Sequence, residues 1–315
     1  MTPNVSKPKI LIIKHGAFGD FIQSFPSFEA IRKTCPMAHI TLLCDPSLKE
    51  IAALSPYFDE ILTDQRERLG FSLSKWRCLQ KRLKIISQYA LVIDLQQSLR
   101  SQIYLSFSGH AKKRDILKKL GKKTPLHALI RQAKYLQELH IPPLAPQKAN
   151  WLIEAGKIQL PQNPRGPYIV LCAETSEKHR YKSWPLQNFI QLAFLLAKEG
   201  FQPILTGKKA APLKSQERLA KLNILDLRGK TTIPDLAKIM SQADLCIGAD
   251  TGSMHLATFC GCPTLVLFST FSDPRFHSPI PLKAGDVTTL QARDTASLSF
   301  RKVLESALHL LKKLG

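Results

Sequence analysis

The chain has 315 residues, 44% of them hydrophobic and 22% charged, with a formal net charge of +21. That length and balance suit one large or two ordinary hydrophobic cores and exclude a disordered chain. Its seven cysteines are odd in number and include no CxxC pair, which fits a reducing cytoplasm better than a disulfide framework. The opening "MTPNVSKPK" has no apolar signal core and no apolar run approaches about 18 residues, so neither export nor a membrane span is expected.

Short apolar runs predict strands over Ile10–Lys14, His39–Cys44, Glu60–Leu62 and Leu91–Asp94, with amphipathic helices at Phe28–Lys33 and Trp76–Ser87 between them. A proline-rich passage follows, "IPPLAPQ" and then "LPQNPRGP", and reads as a linker. Beyond it strands are predicted over Tyr168–Cys172, Pro203–Thr206, Ile224–Leu227, Leu245–Ala249 and Thr264–Phe268. The helices expected between these are Leu186–Lys198, Leu213–Lys221, Pro234–Ser241 and Thr251–Phe259. Strands alternating with helices predict parallel sheets with right-handed crossovers. The expected fold class is α/β, two doubly wound Rossmann-like domains over 1–160 and 161–315, facing a central cleft. The last helix is free to pack back on the first domain. In such domains ligands bind beyond the carboxyl ends of the strands.

The turns at those ends carry the informative residues. In "KILIIKHGAFGDFIQSFPSF" an apolar strand meets Gly16 and Gly19, followed at once by Asp20. The pattern is neither a dinucleotide fingerprint nor a Walker loop. A carboxylate here would repel phosphate, so Asp20 either caps the following helix or projects as a general base. In "CIGADTGSMHLATFCGCP" a buried strand ends at Asp250 and a helix starts at Thr251-Gly252, with His255 one turn along. Amides at such a start attract an anion, whereas the plain alternative is a capped helix with a packed histidine. In "LCAETSEKHRYKSWPLQNF" a polar loop carries Thr175, Ser176 and Lys182. The lysine is either solvated or placed to neutralise a phosphate leaving group. No Asp-x-Asp pair occurs and no His/Cys/Asp cluster has ligand spacing, so neither a metal site nor a cofactor is expected.

The charge is uneven. Between Arg66 and Lys148 lie 18 Lys/Arg and 4 Asp/Glu. Such an excess is either a solvated face or a surface for an anionic partner.

The order of "ILIIKHGAFGDFIQSFP", "VIDLQQSLRS", "YKSWP" and "GADTGSMHLA…FCGCPTLVLFSTFSDP" resembles glycosyltransferase family 9, the ADP-heptose:lipopolysaccharide heptosyltransferases. The resemblance is strongest over residues 9–34, 91–101, 168–206 and 226–274. Two positions depart from it: His15, where members commonly carry another residue, and Ser269, where they carry glycine. The resemblance implies a GT-B fold and an inverting, metal-independent transferase. Asp20 would take the acceptor hydroxyl's proton. The donor would meet Thr175, Ser176, Lys182, Thr231, Asp250, Thr251, Gly252 and His255, with Glu217 toward the nucleotide ribose. Arg100 would meet anionic acceptor groups. It further implies ADP-heptose as donor, lipid A-Kdo as acceptor and a cytoplasmic enzyme held peripherally at the inner membrane.

Two other readings remain open on the sequence. The same fold serves other nucleotide sugars. A nucleic-acid-binding protein would also explain +21, but no C₂H₂, RNP-like or helix-turn-helix pattern is present, so nucleic acid is not expected as a partner.

Overall fold

The computed structural model describes residues 7–66, 73–109, 126–160, 166–173, 182–210 and 212–314. The chain divides into two units, Met1–Ala145 and Pro146–Gly315, the division falling within "IPPLAPQ".

In the first unit, β1 (Lys9–Ile13), β2 (His39–Cys44), β3 (Glu60–Thr63) and β4 (Leu91–Asp94) form a parallel sheet in the order β3-β2-β1-β4. Buried runs on β1, β2 and β4 explain why these strands lie within the layers, since parallel strands are covered on both faces. The helices are α1 (Phe18–Ile22), α2 (Phe25–Thr34), α3 (Lys49–Leu54), α4 (Leu73–Ile86), α5 (Leu99–Phe107) and α6 (Ala128–Glu138). The chain runs outward from β1 to β3 and then returns to place β4 beside β1. The crevice between β1 and β4 is thus the point where the strand order reverses, which is where ligands bind in such sheets.

In the second unit the helices are α7 (Asn150–Glu154), α8 (Leu186–Lys198), α9 (Leu213–Lys221), α10 (Ile233–Met240), α11 (Gly252–Phe259), α12 (Pro274–His277) and α13 (Phe300–Leu314). They accompany β5 (Tyr168–Cys172), β6 (Gln202–Thr206), β7 (Leu225–Asp226), β8 (Leu245–Ala249), β9 (Thr264–Ser269) and β10 (Val287–Ala292). The parallel order β10-β9-β8-β5-β6-β7 reverses between β5 and β8. The core joins strand residues Ile169, Leu171, Leu245 and Leu267 to Leu192 and Leu196 of α8 and to Val303, Ala307 and Leu311 of α13. The i, i+4, i+8 spacing of those last three puts them on one face, so the final helix packs on the second sheet. Trp184, expected at a helix start, is fully buried. It stacks on Phe300 and donates from Nε1 to the Leu298 carbonyl at 3.3 Å, while Pro185 forms the N-cap of α8. Among the described residues no helix is long and apolar enough to cross a membrane.

Candidate functional site

In each sheet several of the candidate residues gather at the point of strand-order reversal. In the first unit the turn after β1 passes through Gly16, whose φ of +110° suits glycine. Gly19 lies inside α1 rather than in the turn. The N-cap is Ala17, so Asp20 sits in the helix's first turn and is not its cap. Its carboxylate is exposed, and Ser24 Oγ donates to its backbone carbonyl at 2.8 Å. A first-turn acid is favoured by the positive helix end, so the position costs the fold little.

The turn after β4 ties itself to this one. Gln96 Oε1 accepts from the His15 amide at 3.0 Å and the Gly16 amide at 3.2 Å. Asp94, at the end of β4, accepts from the Gln96 and Gln97 amides at 3.0 and 2.9 Å. Burial raises its carboxyl to about 6 against those bonds. Lys14 is only 4% exposed. Burial draws its ammonium down to about 8, while Asp20 and Asp94 oppose that and Arg131 adds to it. Arg100, in the first turn of α5, donates to Tyr104 Oη and to the Arg66 carbonyl, each at 3.3 Å.

In the second unit Lys182 follows β5 and Asp250 follows β8, and the structure brings the two together: Nζ to Oδ2 is 2.6 Å. Ser272 Oγ donates to the same oxygen at 2.6 Å. Thr251 is the N-cap of α11 but makes no side-chain cap bond. Its hydroxyl is buried with no partner among the described residues. Gly252 opens the helix, and His255 is buried within it. Cβ-free Gly248 lets the strand end close against Met254 and Cys172. Glu217 is exposed on α9, and half-buried Thr231 follows β7 beside Lys230, whose Nζ donates to Gln216 Oε1 at 2.8 Å. These two stand at the β6 and β7 side of the sheet, away from the reversal. Thr175 and Ser176 lie outside the described residues.

The sequence reading missed Lys14, Asp64, Gln96 and Ser272. Only Lys14 carried a local signal, a lysine ending an apolar strand run; the others gain meaning from contacts distant in sequence. Ser269, flagged as a departure, ends β9 fully buried with its hydroxyl unpartnered among the described residues.

A lysine beside a helix start with no side-chain cap, at the reversal point of a Rossmann-like sheet, has the chemistry to attract an anion. Residues 76–307 match the model of glycosyltransferase family 9 (heptosyltransferase). The chain belongs to that family. Asp20 falls before the matched range. Among relatives, lipopolysaccharide heptosyltransferase 1 of Pseudomonas aeruginosa is 24% identical over 282 residues, covering 82% of this chain and 78% of that protein. Among solved structures, a family 9 glycosyl transferase from Veillonella parvula superposes with a TM-score of 0.72 at 21% identity, covering 97% of this chain and 98% of that one. The Escherichia coli heptosyltransferase WaaC, solved with ADP, gives 0.71 at 17% identity, covering 96% and 99%. Like those heptosyltransferases, this glycosyltransferase has the GT-B architecture, with two Rossmann-like units built on parallel sheets.

Proposed function

We propose that this glycosyltransferase moves a heptose from ADP-heptose to the lipid A-Kdo inner core of lipopolysaccharide, with inversion and with Asp20 as general base. The observation that carries the donor half is the Lys182–Asp250 pair beside the uncapped start of α11, at the β5/β8 reversal. Lys182, the first amides of α11 and the Thr251 hydroxyl offer positive charge and donors to a diphosphate, without calling on a divalent cation. His255 backs the same helix turn. Thr231 and Glu217 are assigned toward the nucleotide, and the relative solved with ADP supports an adenine nucleotide.

In the first unit Asp20 is exposed at the β1/β4 reversal, open to an acceptor hydroxyl. As that oxygen attacks the anomeric carbon, its proton passes to the Asp20 carboxylate. The bond from the anomeric carbon to the diphosphate oxygen breaks, and the electron pair leaves with ADP. One displacement inverts the anomeric centre. Arg100 meets an acidic group of the acceptor. The cation excess between residues 66 and 148 holds the enzyme at the anionic cytoplasmic face of the inner membrane.

The test is incubation with ADP-heptose and a panel of truncated lipid A cores, with products read by mass. Wild type should add one heptose. Asp20→Asn should retain ADP binding and lose about two to four orders of magnitude in turnover. Transfer from a UDP- or GDP-sugar but not from ADP-heptose would overturn the donor assignment. Near-normal turnover of Asp20→Asn would overturn the base assignment.

A further inference from the structure

His15, at the entry to the turn after β1, meets an acid that no local pattern singles out. Asp64 follows β3, is fully buried, and gathers four donors. His15 Nε2 lies 3.0 Å from Oδ2, and the Tyr104 hydroxyl donates to the same oxygen at 2.8 Å. Arg82 Nη1 and the Arg66 amide each donate to Oδ1 at 2.8 Å. Burial alone would raise this carboxyl, yet the His15, Arg66, Tyr104 and Arg82 contacts hold it well below the usual carboxylate range. Asp64 is therefore a fixed negative charge, and the facing imidazole nitrogen donates to it.

What hangs from this charge is the candidate acceptor side of the site. His15 precedes Gly16 in the turn that leads to Asp20, and its amide is pinned from the other side by Gln96. Tyr104, also fully buried, uses its proton on Asp64, so its oxygen lone pairs face cations. Arg82 Nη1 reaches that oxygen at 3.2 Å and Arg100 Nη1 at 3.3 Å. The Arg66 carbonyl, two residues past Asp64, takes a second bond from Arg100. A single carboxylate thus links β1, β3, α4 and α5 around the β1/β4 reversal. Buried charges that lose one partner leave the rest unsatisfied, so such a hub transmits displacement rather than absorbing it.

We infer that Asp64 is a positioning residue for glycosyl transfer: through His15 it fixes the turn that presents Asp20, and through Tyr104 it fixes the guanidinium of Arg100. The inference rests on the assignment of Asp20 as base and Arg100 as acceptor contact. Neither Asp64 nor Tyr104 touches substrate in it.

The test is steady-state kinetics of the full chain with ADP-heptose and lipid A core, measuring both KM values and kcat. Tyr104→Phe keeps the ring and deletes the oxygen that links Asp64 to Arg100. It should raise the acceptor KM by about three- to thirtyfold and leave the donor KM unchanged, the scale of one hydrogen bond to a charged group. In an Arg100→Ala background the same change should add nothing further, because its effect runs through that arginine. Asp64→Asn, equal in size, should lower kcat by at least about tenfold as well as raise the acceptor KM, since it loosens both arms. If Asp64→Asn does not fold, Tyr104→Phe alone decides. An unchanged acceptor KM in Tyr104→Phe, a further rise in the Arg100→Ala background, or equal shifts in both KM values overturns the inference. Asp20→Asn and Arg100→Ala run alongside. If both act like wild type, the underlying reading fails and takes the inference with it; if both lose activity while Tyr104→Phe does not, the inference alone fails.

Discussion

Lys182 and Asp250 meet at 2.6 Å across the two strands that flank the reversal of the second sheet. The pair is part-buried, and Ser272 Oγ donates to the same carboxylate oxygen. An ammonium carries three donors, so one bond to Asp250 leaves it capacity for phosphate oxygens. In the proposed donor site Asp250 would thus aim the lysine rather than consume it.

Lys182→Ala should weaken ADP binding by about tenfold to a hundredfold, the scale of a charge-assisted contact of about 1.5–3 kcal/mol. Adenosine binding should hardly change, because adenosine has no phosphates. Calorimetric titration with both ligands checks this. Equal losses for ADP and adenosine would remove Lys182 from the diphosphate.

Lys14 carries a pH-dependent cost to stability. Its ammonium titrates near 8 in the fold against 10.5 as the ordinary value, burial being the largest cause. The folded chain thus binds this proton more weakly than the unfolded chain. The cost is full below pH 8 and fades as pH rises from 8 toward 10.5. Lys14→Met should stabilise the protein at pH 7 by about 1–3 kcal/mol, and the gain should vanish near pH 10. Urea unfolding at the two pH values reads this directly. Destabilisation at both would mean that Asp20 and Asp94 more than compensate the burial.

Gly248 is required by close approach, not by its backbone angle. A Cβ there would lie 2.7 Å from Met254 Sδ and 2.9 Å from Cys172 Cβ. Gly248→Ala should cost about 1–3 kcal/mol, as overpacked cores do, and should push the start of α11 away from β5. Thermal melting and ADP titration should both register it. An unchanged melting temperature with unchanged ADP affinity would show that Met254 yields freely.

Where a segment's own residues decide its structure, the sequence was enough. Leu91–Asp94 and Leu245–Ala249 are continuous apolar runs, Leu186–Lys198 and Leu213–Lys221 are periodic, and all four have the predicted bounds. β10 was not legible, because it is an edge strand with Leu290 as its one buried residue and shows no apolar run. α6 was missed in a stretch dominated by charge and proline signals. Within the candidate site, Asp250, Thr251 and Gly252 could be singled out because they directly follow β8, a readable strand, and Lys182 because it stands between readable β5 and α8. Whether Asp20 capped α1 could not be decided, since that depends on the helix starting two residues before it. Asp64 was invisible for a different reason. Its partners His15, Arg82 and Tyr104 lie far away along the chain, and no periodicity records a contact of that kind.

The cation excess offers a prediction that separates a working surface from a solvated one. Lys112, Lys113, Lys118 and Lys119 form its densest group and lie outside the described residues; their charge alone sets the expectation. If this stretch meets the anionic acceptor or its membrane, reversing the four to glutamate should raise the apparent KM for lipid A core. The donor KM should hold, because the diphosphate contacts assigned here belong to the second unit. The effect should be largest in dilute buffer and shrink with added salt, as the Debye length falls to about 8 Å at physiological ionic strength. Arg100→Ala should act in the same direction but resist salt, because Arg100 is half-buried and held by Tyr104 and the Arg66 carbonyl. A reversal that alters both KM values alike, or neither, would leave these lysines as solvated charge and place acceptor recognition on Arg100 and its neighbours alone.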